Sequence, residues 1–133
     1  MADGVNIIDS AIGKNYALYN GDSTEILTGI PSDSIDFIIY SPPFRSLYSY
    51  SNSERDLGNC ESAEEFDLHF GFIAKELLRV LKPGRLMSVH CMNLPTSKEK
   101  DGYIGISDFR GDLIRMFTTM NGGQMAGQFH LSQ

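Results

Sequence analysis

No apolar run in this 133-residue chain approaches the roughly 18–20 residues that a membrane-spanning helix requires. The start, Met-Ala-Asp-Gly-Val-Asn, has neither a basic flank nor an apolar stretch behind it, so no secretion signal is expected. Cysteine is scarce: Cys60 and Cys91 form no C-x-x-C pair, which points to free thiols and a reducing, cytoplasmic setting. His69, His90 and His130 show no metal-ligand spacing with those cysteines and are expected to be ordinary histidines, with no metal bound. There is no phosphate-binding loop of the G-x-x-x-x-G-K-[ST] kind and no G-x-S-x-G nucleophile elbow. Bases are few in the first half, where twelve acids up to Asp67 face only Lys14, Arg45 and Arg55. From Leu68 onward eight bases face five acids. The formal charge of -6 argues against strong unspecific binding to nucleic acid; the second half presents either a local basic face or plain solvated surface.

What the sequence does contain is an ordinary globular composition, 41% hydrophobic and 21% charged, in a length that suits one domain. Residues 15–20 are expected to form a short strand ending at the Gly21-Asp22 turn, with a short helix after it capped by Asp22 or Ser23. Pro31-Ser32-Asp33-Ser34 turns the chain into residues 35–40, which are almost wholly apolar and read as a strand buried on both faces of a parallel sheet. Residues 45–59 have no period and are expected to be a loop. Residues 61–82 predict the clearest helix. Ser62 and Glu65 suit a capping box, Phe66, Phe70, Ile73, Leu77 and Leu81 form one apolar stripe, and Pro83-Gly84 stops it. A strand over 85–91, an exposed loop over 93–107, a helix opened by Asp108 and a loose tail over 118–133 complete the reading. Alternating strands and helices predict an α/β fold with a mostly parallel sheet and flanking helices.

Chemistry concentrates at Ser41-Pro42-Pro43-Phe44, immediately after the apolar strand. In open α/β sheets ligands bind beyond the carboxyl ends of strands. Each proline fixes its own φ, holds the residue before it extended and removes an N–H. The result is a stiff ledge of carbonyl acceptors, with a hydroxyl at its root and an aromatic ring at its tip. Two acceptors can hold the hydrogens of an amino group and aim its lone pair outward. The ring can stack on a heterocycle drawn out of a nucleic-acid helix. Rate would come from positioning and electrostatics rather than from a strong base. A rigid turn or a proline-rich ligand for another protein explains the same four residues equally well.

Tyr-Ser-Pro-Pro-Phe resembles the catalytic motif of DNA methyltransferases that modify exocyclic amino groups, written (D/N/S)-P-P-(Y/F/W). The approach through residues 18–22 and 31–36, and the helix end and strand beginning at Glu76-Leu77-Leu78-Arg79, are similar to the same family. Residues 90–97 resemble its phage-type members, and the likeness runs from about Asn15 to Phe117. It implies a partial Rossmann-like methyltransferase fold, with residues 1–117 as a partial catalytic domain. It also implies S-adenosylmethionine as cofactor, DNA as partner, and transfer of a methyl group to cytosine N4 or adenine N6 in a flipped base, as in restriction-modification. Ser41 and the carbonyl of Pro42 would hold the amino group, Pro43 would stiffen the ledge and Phe44 would stack on the base. Asp22 stands where the family contacts the cofactor adenine, a role that competes with its reading as a helix cap.

The family's glycine-rich F-x-G-x-G cofactor segment has no counterpart: Gly122-Gly123 follows no strand, and Gly102 and Gly105 lie in the polar loop. The chain is therefore expected to be a truncated form, with three outcomes open: a fragment inactive alone, a half completed by another chain or a second copy, or a rearranged small domain. The alternative is a catalytically inactive remnant serving as a binding or assembly module. A third reading keeps the chemistry and changes the substrate to RNA or a protein amide.

Overall fold

A computed structural model describes residues 4–43, 63–120 and 129–132. Within these, β1 (Asp9–Ile12) and β2 (Ala17–Asn20) form an antiparallel hairpin, followed by α1 (Ser23–Thr28) and β3 (Ile35–Tyr40). Next come α2 (Ala63–Val80), β4 (Leu81–His90), β5 (Leu94–Thr96), α3 (Lys98–Asp101), β6 (Gly105–Ser107), α4 (Phe109–Met120) and β7 (Phe129–Ser132). The central sheet is β3-β4-β7, parallel throughout, and β5-β6 is a second antiparallel hairpin. Among the described residues the fold is thus mixed α/β, with one small parallel sheet and two separate antiparallel pairs.

The expected apolar stripe of α2 builds the core. Phe66, Phe70, Ile73, Ala74 and Leu77 are buried with Met87 and Val89 of β4 and with Phe109, Leu113 and Phe117 of α4. Phe66 and Phe70 stack at 5.5 Å between centroids, Phe109 meets Phe66 edge-on at 5.4 Å, and Phe117 meets Phe70 edge-on at 6.0 Å. Such offset and T-shaped pairs satisfy the ring quadrupoles and add to the area term. Asp108 Oδ1 accepts the Gly111 N–H at 3.1 Å, so the predicted opening of α4 is capped as expected. The capping-box residue Ser62 and the expected loop over 45–59 lie outside the described residues.

Four expectations are corrected. First, β3 is not buried on both faces: Ile38 and Tyr40 pack on the core, whereas Phe37 and Ile39 are 52% and 77% exposed. The apolar run reflects a parallel strand with core on one side and nothing from the described residues on the other. Second, the strand after α2 begins at Leu81 rather than 85. Between Ile35↔Leu81 and Phe37↔Leu86 β4 bulges, with Gly84 at φ 73, which glycine adopts without strain. This bulge explains the one polar residue of β3. Lys82 Nζ reaches Asp36 at 2.9 Å and Arg85 Nε at 3.4 Å. The hydrogen bond from Lys82, with lesser help from the charges of Lys82 and Arg85, holds the Asp36 carboxyl below its usual value against an opposing desolvation. Third, residues 93–107 are not one loop but the β5-α3-β6 excursion, too short in each element to show a period. Fourth, the tail is not wholly loose: α4 continues to Met120, and β7 pairs with β4 from Met87↔Phe129 to His90↔Ser132.

The entry into β3 is fixed from α2. The N–H groups of Asp33 and Ser34 donate to the carbonyls of Arg79 and Val80 at 3.0 and 2.9 Å, closing the carboxyl end of the helix. In return Arg79 Nη2 donates to the carbonyls of Leu27 and Ile30 at 2.8 and 2.9 Å, and its Nη1 to Ser32 Oγ at 3.0 Å. Glu76 steadies the guanidinium through its Nε at 2.8 Å. One side chain thus ties the end of α1, the following turn and α2 together, and so sets where β3 begins.

Candidate functional site

Ser41, Pro42 and Pro43 follow β3 at its carboxyl end, beside the carboxyl end of β4 in the parallel sheet. Side chains alternate across a strand, and the alternation continues past the last paired residue. Pro42 is fully buried on the side of Ile38 and Tyr40, while Ser41 is exposed on the side of Phe37 and Ile39. The ledge is therefore anchored by the ring of Pro42 and presents the Ser41 hydroxyl outward. Tyr40 fixes the end of the strand by stacking on Phe70 at 6.0 Å, and burial pushes its hydroxyl up to about 12. Tyr40 is accordingly a neutral, packed ring at physiological pH. Phe44, expected to complete the ledge, lies outside the described residues.

Asp22 stands elsewhere, between β2 and α1, and the hairpin that precedes it is not part of the central sheet. It is the N-cap of α1, and its Oδ1 accepts the Thr24 N–H at 2.8 Å. The cap reading of Asp22 is therefore seen directly, and the cap fixes the carboxylate at the carboxyl end of a strand.

At the end of β4, His90 is exposed and Cys91 buried. Burial pushes the Cys91 thiol up, opposed by the Arg110 guanidinium, so it is suited to packing rather than to nucleophilic work. His90 was legible in the sequence only as a strand residue. It stands one residue beyond Val89, the partner of Tyr40, a register that hydrophobic pattern alone does not give. Among the described residues, no group of three His, Cys, Asp or Glu side chains is placed to hold a metal ion, and no helix is long and apolar enough to cross a membrane.

This arrangement, a parallel strand pair with Ser41-Pro42-Pro43 beyond it, is similar in fold to part of a solved structure. A solved structure from Thermus thermophilus, provisionally described as a DNA modification methylase, superposes with a TM-score of 0.57 at 20% identity. The match covers 75% of this chain and 38% of that one. In sequence, the chain is 33% identical over 69 residues to the type II methyltransferase M.SfiI of Streptomyces fimbriatus, covering 52% of this chain and 16% of that protein. It is 36% identical over 70 residues to M.PvuII of Proteus hauseri, covering 53% and 19%. With M.BglII of Bacillus subtilis the identity is 34% over 80 residues, covering 59% and 20%. The chain thus spans about a fifth or less of the curated relatives it matches. No protein-family model matches it.

Proposed function

We propose that this chain carries the amino-group-holding part of an S-adenosylmethionine-dependent DNA methyltransferase, acting on cytosine N4 or adenine N6. One observation carries the reading: Ser41-Pro42-Pro43 stands at the carboxyl end of a parallel strand, with Pro42 buried and Ser41 presented outward. The local likeness to type II methyltransferases supports it.

In this reading the Ser41 hydroxyl oxygen and the Pro42 carbonyl each accept one hydrogen of the target amino group. Neither proline brings a competing N–H. Two acceptors on a rigid ledge fix the amino nitrogen and raise electron density at its lone pair, which is the group that must attack. Phe44 is assigned to stack on the extruded base, the arrangement that a base taken out of its helix requires. S-adenosylmethionine, when bound, supplies an electrophilic methyl group on a sulfonium. Asp22 fits one part of holding it: a capped carboxylate in a fixed orientation can accept an N–H or O–H from the adenosine portion. The partial Rossmann-like assignment, with residues 1–117 as its catalytic part, belongs to the same proposal. So does completion by another chain or a second copy. An assembly module without catalysis is the second reading, favoured by Phe37 and Ile39 on the sheet face that the described residues leave open.

The test is transfer of a tritiated methyl group from S-adenosylmethionine to DNA by this chain in the presence of a complementing fragment that carries the F-x-G-x-G segment. The expected result is labelled DNA with the wild type and background label with Ser41→Ala. Equal labelling by both removes Ser41 from the site.

A further inference from the structure

The amino group held by the ledge must lose a proton, and the β3-β4 register offers an acceptor for it. The last paired residues are Tyr40↔Val89, after Ile38↔Met87 and Ile39↔Ser88. Continued by one residue, that register sets Ser41 opposite His90 on neighbouring strands, about 4.8 Å apart at the backbone. Burial supports the continuation. Pro42 and Cys91, one residue further on, are both buried on the core side, and Ser41 and His90 are both exposed. Hydroxyl and imidazole therefore stand side by side on one face, at the carboxyl edge where a ligand of a parallel sheet binds.

We propose that His90 is the proton acceptor of the site, working through the Ser41 hydroxyl. The proposal rests on the methyltransferase reading above and adds a residue to it. When the amino nitrogen forms its bond to the methyl carbon, the donor sulfur keeps the electron pair of the broken S–C bond. The nitrogen is then positively charged and carries two hydrogens. One N–H bond breaks as its proton passes to Ser41 Oγ, and the Oγ proton passes to a ring nitrogen of His90. The base leaves neutral, the serine is restored and the exposed imidazolium returns its proton to water. Neutral imidazole is the common side chain for such a transfer near neutral pH.

Two measurements on the full chain test this. The first asks only about geometry: Ser41→His should create, with His90, a chelating pair for Ni²⁺. Calorimetry should show Ni²⁺ binding at least tenfold tighter than in Ser41→His/His90→Gln. Equal binding overturns the juxtaposition and the proposal. The second follows the ¹⁵N resonances of the His90 ring while short single-stranded oligonucleotides containing cytosine or adenine are added. His90 signals are expected to move with these oligonucleotides, and to move less in Ser41→Ala. Oligonucleotide binding seen by fluorescence anisotropy without movement of the His90 signals overturns the role of His90 and leaves the DNA reading standing. No binding of any oligonucleotide overturns the DNA reading, and this role with it.

Discussion

Arg79→Met should destabilise the chain by about 2–3 kcal/mol, and the figure follows from what the guanidinium touches. Its Nη2 serves the carbonyls of Leu27 and Ile30 in a part-buried setting. The Leu27 carbonyl also accepts the Ile30 N–H at 3.0 Å, so the larger share of the loss falls on the Ile30 carbonyl. Removing a charged donor from a part-buried acceptor costs about 1–3 kcal/mol, and water reaching the turn keeps each loss near the lower end. The exposed bond to Ser32 Oγ adds little, and the Glu76 pair, three residues apart on α2, adds about 0.3–0.5 kcal/mol. Methionine keeps most of the aliphatic stem, so the loss reports the hydrogen bonds rather than packing. Arg79→Lys should lose about half as much, because one ammonium cannot span the fork that two carbonyls and a hydroxyl occupy. Urea unfolding followed by circular dichroism measures both, with Ser32→Ala as a control expected within about 0.5 kcal/mol of wild type. A change of under about 0.5 kcal/mol in Arg79→Met would refute the view that this side chain fixes the entry to β3.

Phe70→Ala should cost about 3–5 kcal/mol in the same unfolding assay, since it removes the ring that contacts Phe66, Phe117 and Tyr40 at once. Tyr40 makes stability fall at alkaline pH. The unfolded tyrosine ionises near 10 and the folded one near 12, so its contribution is complete below pH 10 and is lost as pH rises towards 12. The loss is about 2–3 kcal/mol, and Tyr40→Phe should abolish that part of the pH dependence; an unchanged slope contradicts the burial of the hydroxyl. Asp22→Asn keeps an acceptor for the Thr24 N–H and should leave stability within about 1 kcal/mol. The same change should weaken S-adenosylmethionine binding about tenfold or more in calorimetry, and unaltered binding removes Asp22 from the cofactor contacts.

The α2 stripe, the Asp108 and Asp22 caps and the strand over residues 35–40 were legible because each rests on local chemistry: spacing of apolar residues, a capping oxygen, a β-prone run. Pairing was not legible. A continuous apolar strand does not say whether both faces are covered, and Phe37 and Ile39 prove exposed. The early start of β4 was hidden by Pro83-Gly84, a helix stop that here also forms a bulge around Asp36. β7 lies in a Gly- and Gln-rich stretch without pattern, and only its long-range pairing with β4 makes it a strand. At the candidate site, Ser41 and the prolines stood out because proline at a strand end is unusual. His90 did not, because its interest depends on a neighbour 49 positions earlier in the sequence.

The central claim is that Ser41 holds an exocyclic amino group for methylation. Its most direct test is to incubate the chain, together with a complementing methyltransferase fragment that carries the F-x-G-x-G segment, with tritiated S-adenosylmethionine and DNA, digest the DNA to nucleosides and locate the label. The account predicts label in N4-methyldeoxycytidine or N6-methyldeoxyadenosine, reduced to background by Ser41→Ala. Label in a ring-carbon-methylated base, label unaffected by Ser41→Ala, or unlabelled DNA would contradict it.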